Sequence, residues 1–289
     1  MNEPMNEIAE QTEMLLPGPA RALGALLAVP VPDLEGGAAL PLLWHWIYLL
    51  DRPAQSDLGP DGHPVRGTVP APPAPGRRRM WAGGHVRTAG SLRCGEPATR
   101  RSHVESVQDK QGRSGPLTFV AVRHQIVQRD RVVVDERQDI VYREPGFPTA
   151  SLVGPAASPV GRLTADEAPV IPPADGEWPV EITPTLLFRF SALTYNAHRI
   201  HYDRDYARDV EGYPGLLTHG PLQALAMAEA ARAAGWQYAD LSFEYRLLSP
   251  LFDHQGLVAS AAGDQAAIVT GVRDRYGRKT AAGTVRPSW

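Results

Sequence analysis

The sequence predicts an α+β protein in which one helix-and-sheet module occurs twice. Three observations carry this. The length of 289 residues suits two ordinary domains. Two proline-crowded stretches, 52–79 and 145–184, interrupt the chain. Proline fixes φ and removes a donor, so neither stretch is regular helix or central strand. The segments around them read alike: one apolar helix, then about four strand-like runs.

In the first half, Leu40 to Leu50 is a short, very apolar helix candidate. The loop at 52–79 follows, longer than a plain connection in a compact domain, and such loops are often functional. Strand-like runs then occupy His85–Leu92, Ala98–Val107, Leu117–Val127 and Val132–Tyr142. The third alternates cleanly from Phe119 to Ile126. Gly112, Gly115 and Arg129-Asp130-Arg131 mark the turns. In the second half, Pro221 to Ala234 is a helix with Pro at its first position and Gly235 at its stop. Its Ala-rich interior, with Leu222, Leu225 and Met227, suits burial on most sides. The runs Tyr238–Leu247, Gln255–Ala262, Ala266–Asp274 and Lys279–Arg286 complete the second set, with Gly277 in a hairpin turn. A curved antiparallel sheet wrapped around each helix would bury it. The expected division is a first module over 1–144, a Pro-rich linker over 145–183, and a second module over 184–289.

Composition narrows the function classes. Lys and Arg number 29 against 32 Asp and Glu, so a strongly basic nucleic-acid binder is not expected. One cysteine, Cys94, excludes an internal disulfide framework and a thiolate-built zinc site, and fits a reducing compartment. The segment Met1–Gln11 carries Glu3, Glu7 and Glu10 and lacks the apolar core of a signal peptide. The longest apolar stretch, Ala38–Leu50, falls short of the ~20 residues of a membrane span. A soluble, cytoplasmic protein with no membrane partner is expected.

The sequence has no P-loop, no G-x-G-x-x-G between strand and helix, and no G-x-S-x-G. Its polar residues concentrate in Phe190-Ser-Ala-Leu-Thr-Tyr195-Asn196-Ala-His198-Arg-Ile-His201-Tyr-Asp203, and in Gly212–Pro221, which opens the strong helix. Three readings of the first cluster stand. A metal could sit on His198 and His201 with Asp203 or His219, although no H-E-x-x-H accompanies them. The histidines could merely satisfy backbone groups at a helix end. Or one histidine is a general base, since its unperturbed pKa lies near neutrality, and an amide orients water. Asn196 and His201 point apart on an ideal helix, so convergence requires a helix break near Ala197–Arg199. In the second cluster, Gly220 would let a substrate carbonyl approach an unpaired amide at the positive end of the helix dipole. An ordinary capped helix start is the alternative.

The order F-x-x-L-T-x-x-x-x-x-I-H-x-D, followed by His219-Gly220 and a helix, resembles the MaoC-like, R-specific hydratases of the hotdog fold. Both halves share features with their two-module subfamily of itaconyl-CoA and mesaconyl-CoA hydratases and 3-hydroxyacyl-thioester dehydratases. In the first half these are Pro41-Leu42-Leu43-Trp44-His45-Trp46 and Arg78-Arg79-Met80-Trp81-Ala82-Gly83-Gly84. The resemblance implies a double hotdog. It implies that His201 is the catalytic histidine and that the Gly220 amide holds the thioester carbonyl. Asn196 stands where the family hallmark has aspartate, and His198 where it has asparagine. Asparagine cannot exchange a proton, but it can position water.

The expected activity is therefore hydration of an α,β-unsaturated acyl-CoA, or the reverse dehydration. No metal or redox cofactor is needed, since CoA arrives as part of the substrate. Tyr195, His198 and His219 are expected near the substrate. The first half, lacking a comparable cluster, is expected to be catalytically silent. Trp81, Gly83 and Gly84 are candidates for the acyl pocket, or for a turn and strand start. Arg77 to Arg79, and Arg79 above all, are candidates for CoA phosphates or a substrate carboxylate, or for a solvated basic run. A homodimer is expected. A hotdog thioesterase using Glu229 and a non-catalytic thioester-binding scaffold are the alternatives.

Overall fold

Ten strands form a single antiparallel sheet in the computed structural model, which describes residues 8–69, 77–112, 115–143, 169–236 and 240–288. The first half supplies β1 (Ala9–Met14), β2 (Arg78–Ala89), β3 (Pro97–Gly112), β4 (Gly115–Gln128) and β5 (Arg131–Arg143). The second supplies β6 (Trp178–Val180), β7 (Asp240–Leu247), β8 (Leu257–Gly263), β9 (Ile268–Arg273) and β10 (Lys279–Pro287). From its outer edge inward, the first half runs β1-β3-β4-β5-β2 and the second β6-β8-β9-β10-β7. These are one topology used twice. The halves join where β2 pairs with β7, Val86 opposite Phe243.

The strands form where alternation dictates. Val120, Val122, His124 and Ile126 of β4 are buried, while the residues that alternate with them are only partly covered. Helix α3 (Gly220–Ala233) lies against β8, β9 and β10 and is buried from Leu222 to Ala231. Its alanines allow the sheet to approach on several sides. The two buried polar residues on it are satisfied. Gln223 accepts from Thr280 Oγ1 at 2.7 Å, and Glu229 accepts from Trp44 Nε1 at 2.8 Å.

The first half departs from expectation. Leu40–Leu50 is not a helix; it holds one 3-10 turn, Trp44–Ile47. Leu43 and Leu49 adopt left-handed φ of 67° and 53°, which an α-helix forbids. Burial explains the apolar character instead, since Leu43, Trp44, Ile47, Tyr48 and Leu49 are all core. The helix of this half is α1 (Pro17–Leu27), which packs on α2 (Pro184–Leu193). Strand β2 begins at Arg78, ahead of the expected His85, because its basic start pairs with the end of β5. The turn between Gly112 and Gly115 lies outside the described residues, as does the part of the expected linker at 145–168. The remainder of that linker includes β6, an edge strand that tolerates Pro179.

Candidate active site

The helix break forms as the local sequence requires. Thr183 caps α2 by accepting from the Leu186 amide at 3.1 Å, and α2 ends at Leu193. Tyr195 takes a left-handed φ of 51°, and Asn196 Oδ1 accepts from the His198 amide at 3.0 Å. That bond fixes the Asn196 side chain. A 3-10 turn, Arg199–His201, then carries His201 inward. Its Nδ1 lies 2.7 Å from the Leu217 carbonyl. A carbonyl only accepts, so Nδ1 donates and Nε2 keeps its lone pair. Burial lowers the His201 pKa to about 4, so the ring is neutral near pH 7.

Behind His201 stands His219, stacked on it at 3.6 Å between ring centroids and 19° between planes. His219 is fully buried, and its Nε2 lies 2.8 Å from Ser191 Oγ. It precedes α3, whose first amide belongs to Gly220. A Cβ there would come within 2.2 Å of Leu247 Cδ1, so any larger residue would have to displace that side chain. Among the described residues the Gly220 amide donates to nothing. The neighbouring Thr218 hydroxyl is buried without a partner among the described residues, a group that composition gave no reason to single out.

The first half also reaches into this site. The loop at 59–64 docks on the segment after α2. The Arg199 amide donates to the Asp61 carbonyl at 2.9 Å, and Arg199 Nη1 to the Pro60 carbonyl at 3.1 Å. Gly62, with φ of +89°, lies so close that a Cβ would be 1.8 Å from the Ala197 oxygen. The docked loop places His63 against His198, ring centroids 3.9 Å apart. Asp61 Oδ2 lies 3.1 Å from His63 Nδ1. The pairing with His63 holds the Asp61 carboxyl below its usual pKa, while burial lowers His63 and lowers His198 further. Asp61, His63 and His198 have ligand atoms within 4.8 Å of one another, so this trio could hold a divalent cation. It differs from the set expected. His201 Nδ1 is committed to Leu217, and Asp203 Oδ2 to the Arg199 guanidinium at 2.8 Å.

His63, His198 and His201 line one cavity of about 1720 Å³. Of the residues singled out in the sequence, Tyr195, Asn196, His198, His201, Gly220, Trp81 and Arg79 line it. His219 does not; it backs His201. Gly83 and Gly84 do not line it either. They permit close strand approach, since a Cβ on Gly83 would lie 2.4 Å from the Tyr245 oxygen and one on Gly84 2.6 Å from the Arg137 oxygen. A bulge between Trp81 and Gly83 turns the Trp81 indole toward the Tyr245 hydroxyl, 3.1 Å away. Of the basic run, Arg78 pairs with Glu211 at 2.7 Å. Glu229, the thioesterase candidate, is absent from the cavity wall and is held by Trp44 and Arg232.

Known proteins resemble this chain in sequence and in fold. Residues 43–253 match the family described as hydroxyacyl-thioester dehydratase type 2. The chain is 47% identical over 237 residues to the mesaconyl-C(4)-CoA hydratase of Chloroflexus aurantiacus, covering 81% of this chain and 79% of that protein. It is 44% identical over 85 residues to the mitochondrial hydroxyacyl-thioester dehydratase type 2 of Schizosaccharomyces pombe, covering 28% of this chain and 27% of that protein. Among solved structures, a MaoC-like dehydratase from Phytophthora capsici superposes with a TM-score of 0.66 at 16% identity, over 97% of this chain and 95% of that one. A double-hotdog protein from Mycobacterium tuberculosis superposes with a TM-score of 0.57 at 16% identity, over 98% and 96%. The fold is a double hotdog, and the chain belongs to the hydroxyacyl-thioester dehydratase type 2 family.

Proposed function

We propose that the protein adds water across the C2–C3 bond of an enoyl-CoA, or removes it from the 3-hydroxyacyl-CoA, with a small branched or dicarboxylic acyl group such as mesaconyl. The observation that carries this is the neutral, backbone-oriented imidazole of His201 in the same cavity as the free Gly220 amide. In hydration, Asn196 and His201 hold the water, and His201 Nε2 takes its proton as oxygen bonds to C3. The charge moves onto the thioester oxygen, which the Gly220 amide receives at the positive end of α3. His201 then delivers the proton to C2. One base on one face gives syn addition. His201 carries the proton and the Gly220 amide meets the charge, so no metal or redox cofactor enters the reading. The same reading makes the enzyme a cytoplasmic homodimer. The single cysteine supports the compartment, and sedimentation equilibrium measures the dimer.

Assays with mesaconyl-C(4)-CoA, itaconyl-CoA and crotonyl-CoA, following the enoyl absorbance in both directions, test the activity. Loss of absorbance with at least one is expected, and silence with all three removes the reading. Replacing the base, His201→Ala, should lower kcat by about 10²–10⁴-fold.

A further inference from the structure

Arg79 is a cation without a counter-ion. It lines the same cavity as the catalytic cluster, yet among the described residues its guanidinium makes no hydrogen bond or ion pair. Of the acidic groups within its electrostatic reach, burial keeps the Tyr142 phenol protonated, and Asp61 and Asp51 are engaged elsewhere, Asp61 by His63 and Asp51 by the Arg100 guanidinium. A guanidinium partly withdrawn from water and left unpaired is unfavourable unless an anion meets it. Arg79 is also within electrostatic reach of His63, whose ring touches His198. The anion it awaits therefore lies at the reacting end of the substrate. We propose that Arg79 is the receptor for a carboxylate on C3 of the enoyl thioester, and so sets the enzyme's preference for carboxylated acyl groups. This rests on the hydratase reading.

Geometry favours that source over a CoA phosphate. A carboxylate on C3 is one bond from the carbon that water attacks, so its receptor must neighbour the groups that handle water. The Asp61–His63 pair keeps Asp61 from occupying the receptor itself. A planar guanidinium can then grip both carboxylate oxygens.

Fumaryl-CoA and crotonyl-CoA test this, because a carboxylate on C3 of one replaces a methyl on the other. In Arg79→Met, the ratio of kcat/KM for fumaryl-CoA to that for crotonyl-CoA should fall by about 30-fold or more. Arg79→Lys should keep part of the preference. Equal losses for both substrates would overturn the proposal and indicate a CoA phosphate or the fold, since both carry the same CoA. An unchanged ratio would overturn it as well. Should Arg79→Met not fold, the methyl ester of fumaryl-CoA makes the same test on the natural protein, and an ester accepted as well as the acid refutes the receptor. If no thioester is turned over, the hydratase reading fails by itself. Calorimetric affinities of the two thioesters then decide Arg79: a preference for fumaryl-CoA lost in Arg79→Met supports the receptor, and equal affinities refute it.

Discussion

At His201 the backbone decides which ring nitrogen can take a proton. The Leu217 carbonyl holds Nδ1, and burial keeps the ring uncharged down to about pH 4. A base of this kind is active above its pKa and fails as pH falls through it. Asn196→Asp would set a carboxylate beside it and favour the imidazolium, raising that pKa. The acid limb of kcat/KM should therefore move to higher pH by about one unit or more. A pH–rate profile from pH 3.5 to 8 measures this, and an unmoved limb would separate Asn196 from His201. Asn196, His201 and Gly220 were legible in the sequence because they lie in two dense polar runs, and the family resemblance singled them out. His63 was not. It is a single histidine in a proline-rich loop, and only tertiary docking brings it to His198.

At the scale of elements, the loop at 59–64 acts as a wedge that locks the catalytic segment. Gly62→Ala tests it, because alanine disfavours φ of +89° and its Cβ would strike the Ala197 oxygen. Displacing the segment by about 1 Å should lower kcat/KM by about 10²-fold. The thermal midpoint should drop by only a few degrees, as about 1–2 kcal/mol of local strain implies. Turnover and a melting curve on the same sample check both, and collapse of the fold would contradict a local role. Helix α3 and the strands after it were readable because Pro221, Gly235 and regular alternation mark them. Leu40–Leu50 misled because a buried irregular segment and a buried helix share the same apolar composition. Helix α1 escaped because its pattern is short and lies beside a charged terminus. Edge strand β6 escaped because three residues carry no period.

Across the whole molecule, the buried histidines couple stability to pH. His63, His198, His201 and His219 are all held below 6.5 by burial. The unfolded chain binds their protons first. Stability should be complete above about pH 6.5 and decline as pH falls toward 4, by about 1.4 kcal/mol per pH unit for each histidine that stays neutral. Asp61, held low by His63, adds loss in the same direction at the acid end. Calorimetric melting across pH 4 to 7.5 should show this slope, and a flat midpoint below 6.5 would contradict it. The repeated strand order explains why the sequence disclosed two modules: each copy keeps the same alternation and turns. What separates the copies is α3, whose place the first half fills with irregular apolar chain.

The seam between β2 and β7 also bears on biosynthesis. Strand β2 leaves the ribosome long before β7 exists. At about 5–20 residues per second, the roughly 150 residues between them take on the order of ten seconds to be made. For that interval the nascent first half exposes β2 as an open sheet edge, the kind of surface on which chains aggregate. Arg78, Arg79 and Arg87 and the bulge at Trp81/Gly83 are the charges and irregularities that blunt such an edge. The same arginine that awaits an anion in the finished cavity would guard the unfinished protein.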